Sequence, residues 1–123
     1  MPAAEHRAQF DELLDRLLPL GEVTGKAMFG GFGFWESGDM FALLSSSGAF
    51  HFKADESTVA RYRRARSEQF TPHMRGRAEP TAMPYWTVPA SVLRSDDKLL
   101  EWGAEAVAVA HATAKKRPSK AKN

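Results

Sequence analysis

The stretch KAMFGGFGFWESGDMFALL, Lys26 to Leu44, places four glycines, four phenylalanines and a tryptophan within nineteen residues. Such a run is either a glycine loop that cradles phosphate or a set of strands with their turns. A dinucleotide fingerprint needs Gly-x-Gly-x-x-Gly between a strand and a helix, so that the pyrophosphate meets the helix amino terminus. Here Gly31-x-Gly33 is followed by Glu36 at the third glycine position, and then by a strand and a turn. No Gly-Lys-Ser/Thr ending supplies a P-loop either. Period-two aromatics give the better reading. Phe32, Phe34 and Glu36 share one face, and Phe50 and Phe52 alternate with His51 and Lys53. The expected strands are Ala27 to Phe29, Phe32 to Glu36, Met40 to Ser45 and Ala49 to Lys53. Connections as short as Gly30-Gly31, Ser37-Gly38-Asp39 and Ser46-Ser47-Gly48 imply antiparallel neighbours. Gly30 and Gly31 supply a positive φ or a bulge, and Gly33 permits close approach of an aromatic neighbour or a helix.

Helices flank this meander. Phe10, Leu13, Leu14, Leu17 and Leu18 make one apolar stripe at helical period, ended by Pro19 and Gly21. Asp55 is the expected N-cap of a helix running to about Arg64, with Val59 and Tyr62 inward. Gln69–Phe70 reads as a short strand. Thr81 to Val88 reads as another, with Pro84 marking an edge or bulge. Pro89 opens a single turn through Leu93. Ser95 caps a last helix that buries Leu99, Trp102, Ala106 and Val109 or Ala110, and Asp96 and Asp97 suit the dipole of its first turn. The expectation is a small α+β domain: an antiparallel sheet of five to six strands, a helix at each end and one crossing helix. It spans residues 1–114, and residues 115–123 form a basic, disordered tail.

That tail dominates the charge. Removing its Lys115, Lys116, Arg117, Lys120 and Lys122 from the 17 basic residues leaves 12 against 15 acids, a net of −3 for the body. The pI near 9.1 is therefore weak support for nucleic-acid binding. The absence of cysteine excludes disulfides, thiolate metal sites and a cysteine nucleophile. With no signal-like amino terminus and no membrane-length apolar run, the expected compartment is the cytoplasm.

In order and spacing, KAMFGGFGFWESGDMFALL, FHFKAD, SEQF, MPYWTVPASVL and LLEWGAEAVAVA closely resemble the TfoX amino-terminal domain family. The motif residues include Met28, Phe29, Gly30, Gly31, Phe41, Tyr85, Pro89 and Trp102, which are expected to be structural. The resemblance implies an α+β domain with an antiparallel sheet, no known catalytic residues, and a link to regulation of natural competence. The full regulator of that family carries a second, helical domain; here a basic tail follows instead. Arg66 stands where a glycine usually ends the middle helix, so a longer helix is expected.

Candidate chemistry is sparse. His6, His51, His73 and His111 lie on separate elements without metal-ligand spacing. His51, opposite the Phe50/Phe52 face, is expected to face solvent. Ser45 to Ser47 form a turn with no nucleophile elbow. No enzyme activity, cofactor or metal is therefore expected. One constellation stands out: Arg61, Arg63, Arg64, Arg66, Arg75 and Arg77, with Tyr62, Phe70 and His73 interleaved. Arginine forks suit phosphate or carboxylate and the aromatics could stack on bases, although charge runs are more often a solvated face. With Lys115, Lys116 and Arg117 they form the candidate binding surface. The leading reading is a non-enzymatic regulatory or interaction domain with a protein partner and no membrane. The alternative is weak nucleic-acid binding through Arg61–Arg77 and the tail.

Overall fold

The computed structural model describes residues 6–28, 30–73, 76 and 78–116. Helix α1 (Arg7–Leu17) leads through a 3₁₀ turn (Leu18–Leu20) into strands β1 (Val23–Met28), β2 (Gly31–Glu36), β3 (Asp39–Leu44) and β4 (Phe50–Lys53). Helix α2 (Val59–Arg64), strand β5 (Tyr85–Thr87), the short helix α3 (Ala90–Leu93) and the long helix α4 (Asp96–Lys116) follow. The five strands form one antiparallel sheet in the order β1-β2-β3-β4-β5. Gln69 adds an isolated bridge to Trp86, which is all that forms of the expected strand at 69–70.

Helices α1 and α4 cover one face of the sheet. Phe32 and Phe34 of β2, Ala42 and Leu44 of β3, and Phe50 and Phe52 of β4 alternate onto that face. A register shift at Phe34/Trp35 lets Phe41 join them, stacked 6.3 Å from Phe52. Phe10 of α1 stacks 4.2 Å from Phe32, and Leu99, Ala106 and Ala110 of α4 close the core. Fully burying a side chain of this size stabilises by roughly 1.5–3 kcal/mol, so the phenylalanine cluster supplies much of the fold's stability. Phe29 lies outside the described residues.

Five expectations change. β1 begins at Val23, four residues earlier than its sequence signal. Val23 is its buried position and Gly25 is half-buried under Phe10, where a Cβ would fall 2.7 Å from that ring, while Ala27 is exposed. Leu18 belongs to the 3₁₀ turn and is 48% exposed, because Pro19 tightens the chain before the stripe completes another turn. Asp55 does accept from the Ser57 backbone N–H at 2.9 Å, but it caps a preliminary turn and the α-helix proper starts at Val59. β5 is confined to Tyr85–Thr87, since Met83 donates to the carbonyl of Phe70 and Pro84 accepts from Ala54. Finally, α2 does not run longer. Arg66 takes φ 62°, the Arg66 N–H bonds the Arg63 carbonyl and the Ser67 N–H bonds the Tyr62 carbonyl. This is a Schellman ending with arginine in the left-handed position.

The glycine stretch is strand and turn as expected. Gly30 takes φ 79° in the β1–β2 turn. Gly31 is required by close approach: a Cβ there would collide with the backbone carbonyl of Leu44. Ser95 caps α4 through a 3.2 Å bond from the Lys98 N–H, and Pro89 precedes α3. Among the described residues no helix is long and apolar enough to cross a membrane.

Candidate functional site

Side chains of β3, β4 and β5 that point away from the helices meet a second layer, the irregular segment 68–73 with Met83. Between the two lies a cleft of about 830 Å³. Leu43, Met40 and His51 belong to its sheet side, while Phe70 and Met83 come from the covering segment and Met28 from the end of β1. Strand alternation sets this arrangement. Leu43 pairs with His51 across β3–β4, on the face opposite Phe50 and Phe52. Phe70 is held by its N–H bond to the Tyr85 carbonyl, and Gln69 by its side-chain N–H bond to the Met83 carbonyl at 2.9 Å.

His51 is therefore not solvent-facing. It is 4% exposed and meets the Phe70 ring edge-on at 5.1 Å. Burial pushes its pKa below the ordinary imidazole range, and nearby backbone carbonyls only partly oppose that shift. The neutral ring carries a buried Nδ1 with no hydrogen-bond partner. Alternation placed the ring on the correct face; nothing in the sequence marked the second layer that covers it. Two of the hydroxyls at the cleft's rim are already engaged, with Ser45 Oγ 2.8 Å from Ser47 Oγ and accepting from the Ala49 N–H.

The expected arginine surface is divided. Arg61 lies 4.2 Å over the Trp102 ring and pairs with Glu105 at 3.2 Å and Glu101 at 3.8 Å. It ties α2 to α4 and is not presented to a phosphate. Arg63 sits 5.7 Å over Trp86. Arg64 and Arg66 are exposed on α2 and at its end, and Lys115 is exposed in the last turn of α4. Arg75, Arg77, Arg117 and the Lys116 side chain lie outside the described residues. Of the four arginines of this group among the described residues, Arg61 is therefore turned to α4, while Arg63, Arg64 and Arg66 remain exposed.

Of the residues expected to be structural, Phe41 and Tyr85 are buried and Trp102 packs edge-on against Tyr62 at 5.0 Å. The Tyr62 hydroxyl is buried without a partner, and burial, reinforced by the charge of Glu105, pushes the phenol up.

One cluster escaped sequence reasoning. His111 of α4 holds Asp39 Oδ2 at its Nδ1 and Glu36 Oε1 at its Nε2, both at 2.6 Å. A neutral imidazole has one N–H, so only the protonated ring donates to both carboxylates. Those bonds push the His111 pKa up. Glu36 is held below the usual carboxylate range, first by the Glu22 backbone N–H, then by His111 and Ser37. The separations of 72 and 75 residues along the chain left no local signal. Because the two ring nitrogens face opposite ways, the three groups form a clip and do not converge on one point. Among the described residues no group of three or more His, Asp or Glu is placed to hold a metal ion.

No curated protein matches the chain. The family model for the TfoX N-terminal domain matches residues 15–110, which include the whole sheet, α2, α3 and most of α4. By that match, and by the five-stranded antiparallel sheet with a helix at each end, this chain belongs to the TfoX N-terminal domain family.

Proposed function

We propose that this chain is a non-enzymatic regulatory domain that works by binding, with another protein as its partner and the cleft side of the sheet as its working face. Membership in a family connected with competence regulation supports the regulatory half of the reading. The observation that carries the binding half is the composition of the cleft: Met28, Met40 and Met83 with Leu43 and Phe70. Methionine is unbranched and polarizable, so such walls can repack around different apolar groups. Turnover would need a nucleophile or an acid–base pair held ready for a substrate. The cleft instead presents a buried histidine whose pKa is lowered, and the Ser45 and Ser47 hydroxyls bonded to one another.

The test is affinity capture from native lysate, with and without nuclease, using the wild type and Leu43→Trp. Leu43 is buried in the floor of the cleft, and tryptophan there fills space that a guest would use. Proteins captured despite nuclease and lost with Leu43→Trp are the expected result. Capture abolished by nuclease, or unchanged by the substitution, would defeat the reading.

A further inference from the structure

We propose that the cleft is also a ligand site in its own right, for a neutral amphipathic small molecule with an aromatic or fused-ring body and a single hydrogen-bonding group that pairs with His51. The proposal rests on the reading of the cleft as the working face, and it makes occupancy by this molecule the regulator of what that face presents to a protein.

Size comes first. A volume of about 830 Å³ falls within the roughly 300–1,000 Å³ usual for small-molecule sites, and the segment 68–73 roofs part of it. A single anchoring side chain of a partner protein would leave much of that space unfilled. Chemistry comes second. The walls combine the Phe70 ring, the His51 ring and three thioethers, and aromatic faces and polarizable sulfur both favour an aromatic guest.

Charge comes third. Among the described residues no lysine or arginine lines the cleft, and its second imidazole, His73, is exposed at the rim beside the Ala78 carbonyl, so an anion would lose its hydration without a buried counter-ion. The carboxylate among the lining residues is that of Glu68, an exposed residue, where solvent screens it against a cationic guest. A neutral molecule is left. Its polar group is assigned by His51. The buried Nδ1 has no hydrogen-bond partner, and an unpaired buried nitrogen is costly, a cost that a ligand group able to bond the imidazole would relieve. A half-turn of the ring exchanges Nδ1 with a carbon, so either ring edge can be offered to a guest.

The experiment titrates the full chain with N-phenyl-1-naphthylamine, a neutral fluorophore with two aromatic bodies and one N–H. The expected result is saturable, blue-shifted emission at one site per chain. Leu43→Trp should weaken binding at least tenfold, and Met40→Trp, from a half-buried position, provides a second cleft-filling variant should the first fail to fold. His51→Leu should retain the fold, checked by thermal midpoint, and weaken binding severalfold. The sulfonated analogue 8-anilino-1-naphthalenesulfonate should bind at least tenfold more weakly than the neutral probe. No saturable binding, binding indifferent to both tryptophan variants, or equal binding of the sulfonate would overturn the proposal. If the probe fails while Leu43→Trp still abolishes protein capture, the ligand site falls and the interaction reading stands. If the probe binds as expected and capture ignores the cleft, the outcome is the reverse.

Discussion

Two arginines at the end of α2, Arg64 within it and Arg66 just past it, respond oppositely to glycine if the helix ends as described. Arg66 occupies the left-handed position with φ 62°, and the bonds Arg66 N–H to Arg63 carbonyl and Ser67 N–H to Tyr62 carbonyl fix it there at 3.0 and 2.9 Å. A side chain in that region costs about 1–2 kcal/mol, while glycine pays roughly 0.5–1 kcal/mol more for ordering its freer unfolded chain. Arg66→Gly should therefore stabilise the protein by about 0.5–1 kcal/mol. Arg64 is the last residue of the helix proper, so Arg64→Gly removes helix propensity without relieving strain and should cost about 1 kcal/mol. Both side chains are exposed, which keeps lost packing out of the comparison. With a urea slope of about 2 kcal/mol/M, the Arg66 variant should raise the unfolding midpoint by about 0.3–0.5 M at unchanged slope. The Arg64 variant should lower it by a similar amount. A fall in the midpoint for Arg66→Gly would refute the Schellman ending and revive a helix that continues past residue 66.

Tyr62→Phe should leave stability unchanged or raise it by about 1 kcal/mol in chemical denaturation, because the hydroxyl is buried without a partner and pays for its desolvation unrewarded. Gly31→Ala should be more disruptive than Gly38→Ala. The first drives a methyl into the Leu44 carbonyl, whereas the second meets nothing within 4 Å and adds only the strain of φ 91°; thermal midpoints of the two variants decide the order. Phe34→Ala, at a fully buried position in the aromatic cluster, should cost about 3–5 kcal/mol by the same assay. The His111 clip predicts a pH window. The His111 pKa lies above 6.5 in the folded protein, so its contribution is complete below that value and is lost as pH rises through the folded pKa. Glu36 lies below 4.5, so its contribution is present above that value and lost as pH falls through its own folded pKa. The stability difference between wild type and His111→Ala should therefore be largest from about pH 4.5 to 6.5 and smaller at pH 9, as read from denaturant midpoints.

Elements with strong period were legible in the sequence, and those shaped by distant neighbours were not. Phe32/Phe34 and Phe50/Phe52 announced β2 and β4 because their inward positions are aromatic. β1 was largely hidden because Phe10 descends onto Gly25, leaving small residues where a pattern would show. Arg66 misled because a non-glycine residue usually means that the helix continues, whereas the two terminating hydrogen bonds here offset the left-handed strain. The candidate surface illustrates the same limit. Arg61 reads as one more exposed cation until α4 brings Trp102 and Glu105 against it. His51 reads as solvent-facing until the segment carrying Phe70 returns over the sheet through a single bridge at Gln69. The Glu36–His111–Asp39 clip joins the β2–β3 turn to the end of α4 and could be found only in three dimensions.

Site-specific photocrosslinking asks most directly whether binding is centred on the cleft. A benzophenone side chain is placed at Thr71, an exposed residue lining the cleft, and in a parallel protein at Arg64, exposed on α2. Both are irradiated in nuclease-treated native lysate, and the adducts are compared by mass. Covalent adducts to protein from position 71, suppressed by Leu43→Trp, with none from position 64, are the predicted result. Adducts formed from position 64 alone, or from position 71 irrespective of Leu43→Trp, would contradict it.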